Sequence, residues 1–276
     1  MRHCFARIIH FVPSYVTEAI VTGVRRYGEA DRLVTLISRD IGRFTAIAKS
    51  SRKPKSSLRG GTEPFVRAKF ELAKAKTLDI IRCVEIIDTH LPLRDSWTRL
   101  QMAGHVAEIA NKMTEERFPD AEFYDLLRTA IDRISEGDET AVVRFKVAVL
   151  DHMGIFPDLS GCSNCGAVRV RGNVHLDEKG HGFLCSPCAK EMQIHNPVSM
   201  KVLHILHDYR NGDENSQSSD QELMDAAEDL LTNLLQSYIQ QGFKTSKAAK
   251  EARSRGRKRE NRPPAPDDIK SGSSRA

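Results

Sequence analysis

Four cysteines in two tight pairs are the residues best spaced to do chemistry. Cys162 with Cys165 and Cys185 with Cys188 read C-x2-C-x19-C-x2-C. Each pair can straddle a tight turn and aim two thiolates at one point, and four thiolates suit a tetrahedral Zn2+ ion. The segment between them, VHLDEKGHGFL at 174–184, offers two short strands around a turn at 177–180, so a hairpin would carry one pair to the other. Four thiolates close the coordination shell and leave no position for water, which makes the expected role structural. A zinc nucleobase deaminase would need H-x-E upstream and a proline directly before a C-x-x-C pair. Here the upstream segment is VHLDE, and Pro187 lies inside the second pair. His175 and His181 are near enough to substitute as ligands, but with four cysteines present they are read as hairpin surface.

Other signatures of catalysis are missing from the sequence. There is no G-x-x-x-x-G-K-[ST], no G-x-S-x-G and no H-E-x-x-H. Gly23, Gly28 and Gly42 are spaced as turns, not as a dinucleotide fingerprint. His105 and Glu108 form H-x-x-E with no third ligand, and the acidic clusters at 213–229 read as solvated helix ends. The chain is read as a binding protein, not an enzyme.

A second kind of chemistry needs only charge. Residues 49–61, KSSRKPKSSLRGG, carry Lys49, Arg52, Lys53, Lys55 and Arg59, and no Asp or Glu occurs from 41 to 62. Ser, Gly and Pro54 break any helix, so a flexible loop is expected. An acid-free cationic loop fits a polyanion. Arg25, Arg26, Arg32 and Arg43 lie in or beside neighbouring strands and would extend the patch. Tyr27, Phe44 and Phe65 are candidate base-stacking aromatics, each read first as core. The wider distribution agrees. Residues 1–90 carry 17 Lys/Arg against 9 Asp/Glu, net +8; 91–242 carry 14 against 24, net −10; 243–276 carry 11 against 4, net +7. Two basic segments for a polyanion flank an acidic body.

The elements that must hold these groups change type near residue 90. FVRAKFELA at 65–73 alternates Val66, Ala68, Phe70 and Leu72 with Arg67, Lys69 and Glu71, the period of a half-buried strand. Residues 17–24, 32–38, 43–49 and 77–87 are also β-rich, with glycines between them. Five short strands fit an OB-type barrel, with an SH3-like barrel as the alternative, and the basic loop joins strands three and four. From 93 onward the period is helical. Trp97, Leu100, Ala103, Val106, Ala107, Ala110 and Met113 share a face; Phe123, Leu126, Leu127, Ala130, Ile131 and Ile134 share another, with Asp120 placed to cap. Residues 140–153 are apolar nearly all round, so this helix should be central, stopping at Gly154. Helices follow near 198–210 and 220–241, the second with Ser219 and Glu222 as a capping box and a stripe of Leu223, Ala227, Leu230, Leu231, Leu234 and Tyr238.

The expected organisation is an α+β multidomain chain. Residues 1–16 form an extension, 17–90 an OB-type DNA-binding barrel, 91–242 an all-α domain with a zinc module at 160–190, and 243–276 a disordered basic tail. Arg7 and His10 interrupt the opening apolar run, which lacks a small-residue cleavage site, so no signal peptide is expected. No run approaches ~18 uninterrupted apolar residues, so no membrane span is expected. With Cys4 and Cys83 read as isolated, a reducing cytoplasm and association with the nucleoid are expected.

The words GEADRLVTL, GRFTAIAK, R-K-P-K-S and G-G-T-E-P-F occur in an order that resembles the amino-terminal domain of the bacterial recombination-repair mediator family RecO. FKVAVLDHMGIFPDLSGCSNCG followed by FLCSPC resembles the helix that leads into that family's cysteine module. The resemblance covers roughly 17–242. It implies an OB fold, a helical body and a zinc module. It implies binding of single- and double-stranded DNA and annealing of complementary strands. It implies partners: the ring-forming mediator RecR, the acidic tail of the single-strand-binding protein, and the recombinase RecA, loaded at gaps. On this chain it makes Lys49, Arg52, Lys53, Lys55 and Arg59 DNA contacts and the four cysteines zinc ligands. Arg144 and Lys146, beside the apolar run of 140–153, are the residues assigned to the acidic tail. The first sixteen residues and the long basic tail depart from the family pattern. Two rivals from other classes are a zinc-stabilised RNA-binding or transcription accessory factor and a metal-dependent nuclease using the acidic body.

Overall fold

The computed structural model describes residues 13–168, 173–177, 182–213 and 220–239. The opening extension, the turn at 177–180, Ser219 and the basic tail therefore lie wholly or largely outside the described residues.

Five strands form the first part: β1 (Ser14–Tyr27), β2 (Asp31–Ser38), β3 (Gly42–Ala48), β4 (Arg67–Ala73) and β5 (Asp79–Asp88). They pair in the order β1-β2-β3-β5-β4, with β4 returning to β1, so the sheet closes. All pairs are antiparallel except β3 with β5, where Ala46 faces Asp79. β1 begins at Ser14, three residues before the β-rich run, because Ser14, Tyr15 and Val16 pair with Ala73, Leu72 and Glu71. It is long because two neighbours share it, and a register shift between Val21 and Gly23 bends it from one to the other. Inward residues alternate as expected, and Val34, Leu36, Phe44, Ala46, Phe70 and Leu72 fill the barrel. Each large side chain buried there contributes roughly 1.5–3 kcal/mol.

The helical part follows: α1 (Trp97–Met113), α2 (Ala121–Glu136) and α3 (Ala141–His152), then α5 (Met200–Arg210) and α6 (Gln221–Tyr238) after a small cysteine module that contains α4 (Ser186–Glu191). Asp120 caps α2 as expected, its carboxylate accepting from the Phe123 amide at 2.9 Å. Gly154, at φ 68°, follows the end of α3. α6 is capped by Asp220, which accepts from the Leu223 amide. Two stripe positions differ from expectation. Trp97 is 66% exposed and Tyr238 is exposed too, because each sits at a helix end beyond the packed turns. No helix among the described residues is long and apolar enough to cross a membrane. Cys83, expected as an isolated thiol, is disulfide-bonded, so it lends no support to a reducing compartment.

Barrel and helices share a core. Ile20, Ile37 and Phe65 leave the barrel to join the apolar cluster of α1, α2 and α3. Polar bonds surround this contact: Thr22 Oγ1 to Asn111 Oδ1 at 2.8 Å, the Tyr124 hydroxyl to Glu18 at 3.0 Å, and Arg117 to Asp79 at 2.7 Å. Gly42, at φ 80°, lies so close to the α1–α2 loop that a Cβ would fall 2.0 Å from the Phe118 carbonyl oxygen. Only glycine allows that approach.

His90 closes the seam. It is buried, with Nδ1 2.8 Å from the Phe65 carbonyl oxygen and Nε2 2.8 Å from Asp132 Oδ1. Both partners are acceptors, an arrangement that favours a ring with both nitrogens protonated. Burial opposes the charge, but the bonds to Asp132 and Phe65 and the charges of Asp88 and Asp132 outweigh it and raise the pKa. Stability from this site is therefore complete below the unfolded value of 6.5 and is lost as pH rises through the raised folded value. His90→Gln should cost about 1.5–3 kcal/mol at mildly acidic pH. In urea titrations the gap from wild type should shrink as pH climbs above neutrality, and a gap constant with pH would contradict the charged ring.

Candidate nucleic-acid interface and metal centre

The segment joining β3 to β4 carries the basic run, and it is tied down, not flexible. At its start the Ser50 amide donates to Asp31 Oδ1 at 2.7 Å and the Arg52 amide to the Ala30 carbonyl at 2.9 Å. Ser51 is buried, with its hydroxyl on the Ala48 carbonyl. Successive turns follow, Lys53 to Ser50, Ser56 to Lys53 and Arg59 to Ser56. Leu58 packs on the barrel core. At the far end the Arg32 guanidinium donates to the Arg59 and Thr62 carbonyls and pairs with Glu63 at 2.9 Å. Gly61 has no room for a side chain, since a Cβ would lie 2.3 Å from Val84 Cγ1 on β5. Serine and glycine, read as signs of flexibility, here supply hydroxyl bonds and close approach.

The cations stand outward from this fixed backbone. Lys49, Lys53, Lys55 and Arg59 are exposed; Arg52 is half-buried and donates to the Glu29 carbonyl at 2.7 Å. That bond and those to Ala30 and Asp31 join the loop to the β1–β2 turn. Arg25, Arg26 and Tyr27, all exposed, precede the same turn. Seven of the eight expected DNA-binding cations therefore gather at one end of the barrel. Arg43 does not. It lies at the other end of β3, six residues from Lys49 or ~20 Å along an extended strand. Its Nε donates to the Thr114 carbonyl at 3.1 Å in the seam with the helices. Phe44 fills the barrel and Phe65 the shared core, so of the three aromatics Tyr27 alone is at the surface.

A groove of about 630 Å3 opens on the helical part. Arg39, Leu126, Arg133, Arg144, Phe145 and Tyr209 are among its lining residues. Arg144 lies over the Tyr209 ring at 3.9 Å and bonds Thr140 and the Asp213 carbonyl. Lys146 is elsewhere. It is fully buried and held by Glu228 at 3.2 Å and Thr232 at 2.7 Å on α6, so it presents nothing to a partner. A helix apolar all round puts its one mid-helix lysine into the core, where an acid must meet it. Arg39 and Arg133 were missed; Arg133 follows the α2 pattern, but nothing local in the sequence marks Arg39.

The cysteine module comprises β6 (Asp158–Cys162), β7 (Val174–Leu176), β8 (Gly182–Cys185) and α4. β7 and β8 are antiparallel, as a hairpin requires. The four sulfurs lie within 4.8 Å of one another, and all four cysteines are free thiols. His175 is not among the grouped ligands, and His181 lies outside the described residues. Burial pushes the Cys162 thiol up, but amide donors from Cys165, Cys185 and Asn164 draw it down to about 6. At Cys188 the Asn164 side chain favours the thiolate, yet the sulfurs of Cys185, Cys165 and Cys162 and burial push it up to about 12. The module can hold a metal ion.

The architecture defines a two-part protein, a small closed barrel bearing a pinned cationic loop and a helical body with a four-cysteine centre. The family model described as Recombination protein O N terminal matches residues 13–90, and that described as Recombination protein O C terminal matches residues 94–247. The chain belongs to the RecO family, whose role is in DNA repair and recombination. Relatives named DNA repair protein RecO agree. That of Pelotomaculum thermopropionicum is 33% identical over 195 residues, 70% of this chain and 75% of the relative. That of Acetivibrio thermocellus is 30% identical over 198 residues, 69% and 78%. That of Bacillus subtilis is 27% identical over 191 residues, 68% and 74%.

Cys185→Ser should take metal content, measured by elemental analysis of the purified chain, from one ion per molecule to none. A full complement in the variant would exclude the four-cysteine centre.

Proposed function

We propose that the chain is a recombination mediator that binds single- and double-stranded DNA on the basic end of its barrel and anneals complementary strands. In this reading it also helps load a RecA-type recombinase onto protein-coated single strands. The observation that carries it is the pinned, acid-free loop whose exposed lysines and Arg59 stand beside Arg25, Arg26 and Tyr27. The order β1-β2-β3-β5-β4 with a parallel β3–β5 pair supports an OB-type barrel, a fold that binds strands by combining a basic groove with stacking aromatics. Residues 17–90, brought forward to Ser14, are then the DNA-binding unit, and 91–242 the partner-binding unit.

Annealing needs no catalytic residue. Its barrier is repulsion between two polyanions and displacement of protein already bound. Cations fixed on a rigid backbone neutralise phosphates without first being ordered, and counterion release drives binding. Tyr27 supplies a face for a base. The tail at 243–276, net +7, gives a second strand a place to sit and raises its local concentration.

The groove bearing Arg39, Arg133 and Arg144 is our assignment for the acidic tail of the single-strand-binding protein: its apolar walls carry three guanidinium groups beside the carboxylates of Glu122 and Asp125, and an acidic, apolar segment would take the place of Asp125 on Arg39 and of Asp138 on Arg133. A RecR-type ring is the further partner. The metal is zinc, in a structural role held by Cys162, Cys165, Cys185 and Cys188. Bonds of ~2.3 Å in a tetrahedron set sulfur–sulfur edges near ~3.8 Å, and Cys165 and Cys185 are 3.8 Å apart. The module's own core is little more than Leu184, Ala189 and Ile194 beside the cysteines, so metal binding would contribute much of its stability.

Replacing Lys53 and Lys55 together by Glu tests the loop. Affinity for a single-stranded oligonucleotide, read by anisotropy near 0.1 M salt, should fall at least ~10-fold, and the log–log salt slope should shrink by about 1.4. Thermal unfolding should be unchanged. Unaltered binding would remove the loop from the interface.

A further inference from the structure

Trp97 has no part in the interface described so far. Four large apolar side chains that reach solvent, Ile86, Ile87, Leu91 and Trp97, fall within the twelve residues from 86 to 97. Leu91 is 60% exposed and Trp97 more so. The segment carrying them is anchored. Leu93, in the 3-10 turn Leu91–Asp95, is fully buried in the core shared by barrel and helices. His90 is held from both ring nitrogens. Ser96 caps α1 by accepting from the Arg99 amide. An indole is thus held by fixed backbone with its apolar surface in water, an arrangement that favours a covering ligand.

The segment meets the basic loop at Ile86 and at Arg94. A Cβ on Gly60 would lie 3.8 Å from Ile86 Cδ1, and Arg59 immediately precedes Gly60. Arg94, between Leu91 and Trp97 in sequence, donates to the Pro64 carbonyl at the end of the loop at 3.2 Å and to Thr89 at 2.9 Å. Charge within the strip is low, with Arg94 against Asp88 and Asp95, and His90 buried against Asp132. It offers little to a phosphate and much to a flat apolar surface. A nucleic acid whose phosphates lie on the loop would bring its bases to such a surface. A duplex keeps its base faces stacked inside, whereas a single strand offers them.

We propose that this strip, with Trp97 as its stacking surface, takes the unpaired bases of a single strand whose phosphates lie on the basic loop. Trp97 thereby becomes the residue that separates single strands from duplexes. The inference rests on the reading that the loop binds DNA.

Trp97 is the only tryptophan of the chain, so its fluorescence reports the contact directly. The full chain is titrated with oligo-dT and with a duplex of equal length, following tryptophan emission and the anisotropy of labelled DNA. Emission should be quenched by the single strand and little changed by the duplex. Trp97→Ala should weaken single-strand binding about tenfold and leave duplex binding unchanged, while Trp97→Phe keeps most of the affinity. Normal single-strand binding with unchanged emission, and equal affinity of Trp97→Ala, would overturn the proposal and leave the loop reading standing; a protein would then be the occupant of the strip. Equal loss for single strands and duplexes would also overturn it, by marking a structural role. Failure of the wild type to bind either DNA would sink the loop reading and this inference with it.

Discussion

Five cations held within eleven residues repel one another, and the interaction that contains them is the hydrogen bonding of their backbone to the barrel. Asp31 and Ala30 hold one end. Arg32, itself a cation, holds the other by donating to Thr62 and Arg59 carbonyls and pairing with Glu63. Two acids of this region are spent on anchoring: Asp31 on an amide and Glu63 on Arg32, neither on the exposed lysines. The outer surface keeps its positive potential while the inner side is satisfied. Without the anchors the lysines would spread, and binding a strand would first require ordering them.

The anchors depend in turn on the closed sheet. Asp31 opens β2 and Ala48 ends β3, and the pairing of Arg32 with Ala48 brings the two ends of the loop's support together. The sheet is steadied from outside by the helices. Gly42 lies against the Phe118 carbonyl, Arg117 reaches Asp79, and Ile20, Ile37 and Phe65 enter the helical core. The basic end and the helical groove therefore sit on one continuous packed body. Under the proposed function, a strand on the barrel and a protein tail in the groove would be held in fixed relation.

Local signals were legible where one element decides its own environment. The alternation of Val66, Ala68, Phe70 and Leu72 gave the inward face of β4, and Asp120 and Gly154 marked helix ends because caps act within a turn. The cysteine spacing marked the four sulfurs that gather within 4.8 Å of one another for the same reason. What failed depended on contacts far apart in sequence. Phe44 and Phe65 had the composition of a stacking platform but lie in two different cores, and no local feature says which face of a barrel meets a helix. Lys146 looked like a surface cation until Glu228, from a helix more than eighty residues on, met it inside. Arg43 sits among arginines in sequence but points to Thr114. The loop read as flexible because serine and glycine also serve tight, bonded turns, and only the partners distinguish the two uses. Trp97 obeyed the helical period yet lies one turn beyond the core.

The most direct test of the account is annealing of two complementary oligonucleotides precoated with the cognate single-strand-binding protein, with the chain added and no nucleotide. A mediator should raise annealing well above the rate of the coated strands alone, by an amount that falls as salt screens the loop. Strands that bind the chain yet anneal no faster would contradict that reading, leaving a DNA-binding barrel without the mediator's activity.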